Sequence, residues 1–370
     1  MRLRLLLLPL VLVPLSGCYL LQAARGQLDV NARRVPVALV LARPDTPPDV
    51  ARRLALALRI RDYASRELAL PENGSYRSYA DLGRPYVVWN VYAAPAFSVE
   101  PRTWCFPVAG CVAYRGYFAE ASARAFARSL EAHGDDVAVG GVPAYSTLGH
   151  FADPLLNTMF AWDDDEIASL VFHELAHQVV YAPDDTAFNE GFAMVVEEEG
   201  LRRWLVADGR PEALAMHERR IAAERALAAR VGETRERLRA LYASGQSSAA
   251  LRAGKQREFA ALREDLQARW PGASLLESPL NNAALLEVAT YGDCVPAFAA
   301  RLAALDGDLR GSTRRCGRSH PRTPRRVGAP ASVPSRRGSA TTPRRPSACR
   351  RDARRGRFPR CASYGAGPGT

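Results

Sequence analysis

The chain has 370 residues, 48% of them hydrophobic, with 50 Lys and Arg against 39 Asp and Glu. That excludes a small disulfide-stapled peptide and a wholly disordered chain, because there is apolar material for one or two cores. The formal charge of +11 points toward nucleic acid only until its distribution is read: residues 310–370 hold 17 Arg and one acid, Asp352, a local +16 that leaves −5 for residues 1–309. The body is mildly acidic, and no nucleic-acid partner is expected of it.

The chain begins MRLRLLLLPLVLVPLSGC. Two arginines precede an apolar run from Leu5 to Leu15, too short for a bilayer-spanning helix of ~20 residues. Its basic start and small-residue end read as a signal peptide over residues 1–17. The ending Leu15-Ser16-Gly17-Cys18 resembles a bacterial lipobox. The resemblance implies lipid attachment to the Cys18 thiol, cleavage before it and acylation of the new terminus; several acyl chains hold firmly where one anchors marginally. The competing readings are an ordinary signal peptide with an incidental Cys, or an uncleaved anchor. Tyr19 stands where an Asp would suggest inner-membrane retention, so the expected place is the envelope, facing the periplasm, with the outer membrane preferred. In that oxidising compartment Cys105 and Cys111, with five residues between them that include a Pro and a Gly, are expected to close a disulfide. Two buried thiols are the other reading.

In chain order, Pro47-Pro48-Asp49 opens a segment to Leu68 with apolar residues at helical spacing. The segment from Tyr86 to Tyr92 is β-rich and reads as a strand. Phe118 to Ala132 is helical again, and Val137 to Ser146 reads as a short strand and turn. The cluster Asp163-Asp164-Asp165-Glu166 suits a helix N-terminus, where the macrodipole favours negative charge. From Pro211 to Trp270 the helical pattern is interrupted only at Ser244-Gly245-Gln246-Ser247-Ser248, which predicts a long antiparallel hairpin. His133 and His217, in charged helical surroundings, are expected to face solvent. The body is therefore α+β, mainly α. After Leu309 no Leu or Ile occurs, and such a segment cannot offset its ordering entropy by burial, so a disordered Arg/Pro-rich tail is expected over 310–370. An anionic-lipid arm, a nucleic-acid arm and an out-of-frame translation compete to explain it. With one Lys, Lys255, against 49 Arg, the gene is GC-rich, and the abrupt break favours the last.

The segment Val171-Phe172-His173-Glu174-Leu175-Ala176-His177 carries HExxH on a predicted helix. Residues i and i+4 share one face, so His173 and His177 can direct two imidazoles at one zinc ion. Glu174, beside them, can take the proton of a water at that metal. Thirteen residues beyond His177 lies Glu190, in Asn189-Glu190-Gly191-Phe192-Ala193. The break at Tyr181–Asp185 lets a second helix return with Glu190 in its first turns. Two His and one carboxylate leave a coordination position open, as a catalytic zinc requires. Glu197, two turns on, is placed to hold a ligand imidazole by its free N–H. The alternative is a solvated acidic face of Glu190 and Glu197 to Glu199.

These two motifs resemble the gluzincin metallopeptidases, whose zinc aminopeptidases carry an NEGFA-like third-ligand helix. More closely, the chain up to about Asp308 resembles a family of bacterial lipoproteins described as predicted aminopeptidases. The shared segments are Gln22 to Gln27, Cys105 to Cys111, Tyr145 to Gly149 and Ala289-Thr290-Tyr291. The resemblance implies one zincin-like metallopeptidase domain over 18–309, with His173, His177 and Glu190 as zinc ligands and Glu174 as base. His150 departs from the family pattern, where an aromatic is expected. The glycine-rich exopeptidase motif of better-known aminopeptidases has no counterpart.

The expected activity is zinc-dependent peptide-bond hydrolysis on peptide substrates, as an aminopeptidase. Tyr291 is the candidate donor to the tetrahedral oxygen, with Tyr145 and His150 as substitutes; a Tyr packed with one end wet is the plain reading. The rival function is a non-catalytic, metal-binding envelope lipoprotein whose long hairpin binds a partner.

Overall fold

The computed structural model describes residues 16–106, 110–286, 288 and 294–309. Residues 1–15 of the expected signal peptide, the side chain of Cys18, Tyr291 and the 310–370 tail lie outside that description. Helix α1 (Ser16–Ala32) comes first, followed by β1 (Val35–Pro36) and α2 (Val37–Leu41). Helix α3 (Pro48–Arg66) starts where the sequence places it, with Pro48 in its first turn and Asp49 beside the N-terminal dipole. It buries Leu54, Ala57, Ile60, Arg61 and Ala64, a stripe at helical spacing.

Two three-stranded sheets and a two-stranded one follow from the strand-rich segments. In the larger three-stranded sheet, β3 (Val88–Pro95) pairs antiparallel with β6 (Tyr114–Tyr117) and with β7 (Asp135–Val142), so β7 is an edge. The register sets Val88 opposite Val142 and Pro95 opposite Asp135. Helix α4 (Glu120–Ala132) covers one face through Ala123 and Ala127, against Trp89, Val91 and Ala93. The other face, Tyr92 and Ala94, meets Ala283 and Leu286. Burial on both faces explains the near-continuous apolar run of β3. The smaller three-stranded sheet joins β1, β2 (Ser78–Ala80) and β8 (Leu155–Leu156), with β2 and β8 parallel. Strands β4 (Trp104–Phe106) and β5 (Gly110–Val112) pair antiparallel, and a disulfide joins Cys105 to Cys111 across them.

Helices α5 (Asp164–His177) and α6 (Thr186–Ala207) pack against each other in the main core. Asp163 caps α5: its carboxylate accepts from Asp165 N–H and Glu166 N–H, and Glu166 answers at Asp163 N–H. The pair lies close because Gly200 admits the Phe172 ring; a Cβ there would stand 2.9 Å from Phe172 Cδ2. The hairpin of α7 (Pro211–Tyr242) and α8 (Ser248–Arg269) has its own seam of Val231, Leu238, Phe259, Leu262 and Leu266. Lys255 ties it to the sheet through a salt bridge to Asp136 at 2.6 Å. Helix α9 (Val295–Ala303) closes the core over α6 through Phe298. The architecture is α+β and mainly α. Among the described residues no helix is long and apolar enough to cross a membrane.

Candidate metal centre

Helical spacing carries His173 and His177 onto one face of α5, one turn apart. The chain then leaves the helix at Gln178 and turns back through 180–185. Asn189 shapes that turn: its Oδ1 accepts from Ala182 N–H at 2.7 Å and its Nδ2 donates to Ala182 O at 2.8 Å. Asp185 caps α6 by accepting from Phe188 N–H at 3.0 Å. The next side chain inward is Glu190, buried and facing the histidines. Gly191 follows because α6 runs against the start of α9; a Cβ there would stand 2.7 Å from Cys294 Cβ.

Three ligand-capable atoms converge. His173 Nε2 and His177 Nε2 are 3.2 Å apart, and Glu190 Oε2 lies 3.3 Å from the first and 3.6 Å from the second. A tetrahedral zinc bonded at ~2.0–2.1 Å sets its ligands about 3.3–3.4 Å apart, so the observed triangle has the dimensions of one face of that tetrahedron. Among the described residues these three form the His/Cys/Asp/Glu group able to hold a metal ion. Glu197 Oε2 stands 3.0 Å from His173 Nδ1. A carboxylate there accepts a hydrogen bond from Nδ1–H and leaves the Nε2 lone pair directed at the triangle. Two nitrogens, one carboxylate oxygen and a second carboxylate behind an imidazole are a donor set that fits zinc.

Electrostatics show the same demand for a cation. Burial opposes charge on His173, yet hydrogen bonds to Glu190 and Glu197 carry its pKa well above the ordinary value. Burial likewise opposes charge on Glu190, and the two imidazoles override it, holding the carboxyl far below its usual range. Glu174, adjacent to His173, is 7% exposed. Burial raises its pKa, and the imidazoles of His173 and His177 pull against that rise.

A cleft of ≈ 300 Å³ opens beside these groups. It is lined by Val142, Pro143 and Ala144 at the end of edge strand β7, by Leu170, His173 and Glu174 of α5, by Met194 and Glu197 of α6, and by Trp162 and Arg220. An edge strand beside a candidate metal centre can receive an extended peptide by main-chain pairing.

The structure brings together His173, Glu174, His177, Glu190 and Glu197. It does not bring Tyr145 and His150 to them. Tyr145 donates its hydroxyl to Gln27 Oε1 at 2.5 Å, on the α1 side of the sheet. His150 is exposed in the turn after it. His217 departs from expectation in another way. It is 7% exposed, with Nε2 hydrogen-bonded to Glu198 O at 3.1 Å, because α7 packs on α6 at that turn. Sequence reasoning missed three tyrosines. Burial and then Glu190 raise the pKa of Tyr114 on β6. Burial and then Glu190 push the Tyr181 phenol up to about 12. Burial and then the Glu174 charge raise the pKa of Tyr76. No local pattern announces any of them; only the alternation of β6 could have turned Tyr114 inward.

The sequence model of the family described as "Putative aminopeptidase" matches residues 18–322. No curated protein and no solved structure matches the chain.

Proposed function

The chain belongs to the "Putative aminopeptidase" family, and on that premise we propose that it is a zinc-dependent peptidase of the zincin type. The observation that carries the reading is the triangle of His173 Nε2, His177 Nε2 and Glu190 Oε2, with edges of 3.2, 3.3 and 3.6 Å. His173, His177 and Glu190 would hold the ion. A zinc bound there supplies Lewis acidity, making water a stronger acid and a peptide carbonyl a better electrophile.

The remaining work belongs to the chain. The β7 edge and the Val142–Ala144 segment hold an extended peptide along the cleft. Glu174, buried and drawn toward protonation, takes a proton from the attacking water at its carboxylate and returns it to the leaving amine. Glu197 keeps the His173 ring oriented through Nδ1. Leu170, Met194 and Trp162 favour an apolar substrate side chain in the cleft.

The same proposal attaches the mature chain through lipid on Cys18 to the bacterial envelope, facing the periplasm. The lipobox-like ending supports this, and labelling with a fatty acid, lost in Cys18→Ala, tests it.

The deciding experiment is metal analysis joined to a peptide-library digest of the chain ending at Leu309, wild type and Glu174→Gln. One zinc per chain, cleavage by the wild type and none by the variant are expected. Metal without cleavage would favour a scaffold lipoprotein. A requirement for a free amino terminus among the cleaved peptides identifies an aminopeptidase.

A further inference from the structure

Tyr76 has no task in the hydrolysis just described, yet the fold imposes two costs on it. Its backbone takes φ +62°, the left-handed region that bulky residues rarely enter and that clusters at functional sites. Its side chain is 1% exposed, and its hydroxyl has no hydrogen-bond partner among the described residues. Buried tyrosine hydroxyls ordinarily find one.

The surroundings enforce this placement. The buried Arg61 guanidinium donates to Pro71 O, Asn73 O and Ser75 O at 2.5, 3.2 and 2.9 Å, gripping the loop that leads to Tyr76. Tyr76 N–H donates to Asp153 O at 2.6 Å. The loop is also bonded to α5. Asn73 Nδ2 donates to Gln178 Oε1 at 2.7 Å, and Gln178 Nε2 donates to Ser75 Oγ at 3.2 Å. Gln178 lies one turn beyond Glu174, on the same face. A loop fastened to Gln178 by Asn73 and Ser75 therefore sets its next residue, Tyr76, along the Glu174 face. Burial, then the Glu174 charge and then that of Asp153 raise the phenol pKa well above its ordinary value, so the hydroxyl keeps its proton. A role in packing alone would be met by Phe, without the orphaned oxygen.

We infer that Tyr76 is a positioning residue: its hydroxyl donates across one water to the Glu174 carboxylate and fixes the orientation from which Glu174 works. This rests on Glu174 being the base of a peptidase.

The test uses the zinc-loaded full chain with its tyrosine Cζ atoms labelled with carbon-13. Tyr76→Phe assigns the Tyr76 signal by its disappearance. That signal should shift in Glu174→Ala. With leucine p-nitroanilide and a quenched peptide library as substrates, Tyr76→Phe should lower kcat about 10–100-fold, the range for lost supporting contacts, and leave KM within about twofold. Zinc content and melting midpoint should stay at wild-type values. A Tyr76 signal indifferent to Glu174→Ala overturns the inference. So does an undiminished kcat, or a kcat loss accompanied by falling zinc content and melting midpoint. Full turnover in Glu174→Gln would instead remove Glu174 from the role of base while leaving the peptidase reading in place. An inactive wild type would defeat the peptidase reading, and the carbon signal would still decide whether Tyr76 serves Glu174.

Discussion

Glu197 Oε2 lies 3.0 Å from His173 Nδ1, seven residues and two helical turns along α6 from Glu190. One helix thus presents a carboxylate to the triangle and a second to the back of an imidazole. Glu197→Gln is expected to weaken zinc binding about 10–100-fold while leaving the fold intact, as outer contacts of metal ligands do. Competition against a chelator of known affinity measures it, and unchanged affinity would remove Glu197 from the role.

The metal-free protein should show an unusual pH response. His173 has a folded pKa raised above its unfolded value. The stability it contributes is complete below the ordinary histidine value of about 6.5 and is lost as pH climbs through the raised folded value. Zinc needs the imidazole deprotonated, so the stabilisation it provides grows over the same climb. Melting curves with chelator and with zinc should diverge as pH rises above about 6.5. Parallel curves would contradict the assignment.

Glu190 works in the opposite direction. Its folded pKa is depressed, so its contribution to the metal-free protein holds above the ordinary carboxylate value and fails as pH falls through the folded one. In Glu190→Gln that acid-limb loss should be absent, and zinc should no longer bind at one ion per chain. Acid titration followed by circular dichroism, paired with metal analysis, checks both.

Gly191→Ala should separate packing from ligation. The added Cβ would meet Cys294 Cβ at 2.7 Å, and relieving that overlap should cost about 1–3 kcal/mol. Because Glu190 is the preceding residue, zinc affinity should fall together with the melting midpoint. Denaturant unfolding with and without zinc reads both, and a variant as stable as wild type would show that α9 yields freely.

The disulfide-closed hairpin reaches the turn between the ligands: Cys111 N–H donates to Asp184 Oδ1 at 2.6 Å. Cys105→Ser with Cys111→Ser should cost about 2 kcal/mol for so short a loop. Asp184→Ala should cost less, since the hairpin stays closed. Chemical denaturation of the two variants decides the order.

Much of this protein is written in local spacing. The HExxH interval, the capping cluster Asp163 to Glu166, the break at 181–185 and the Ser244–Ser248 interruption each act within a few residues, where helix geometry and backbone capping leave few options. Those signals suffice for the α5–α6 pair, the long hairpin and the chemical types of the candidate ligands. Tertiary structure alone decided that Glu190 closes the triangle while its neighbours Glu198 and Glu199 pair with Arg225, Arg202 and Arg203, because helix rotation depends on what Gly191 and Gly200 allow to approach. It alone turned Tyr145 toward Gln27, buried His217 where α7 meets α6 and buried Tyr76 in the main core. Those contacts join residues far apart in sequence, and no periodicity along a chain encodes which distant loop a buried Arg61 will grip.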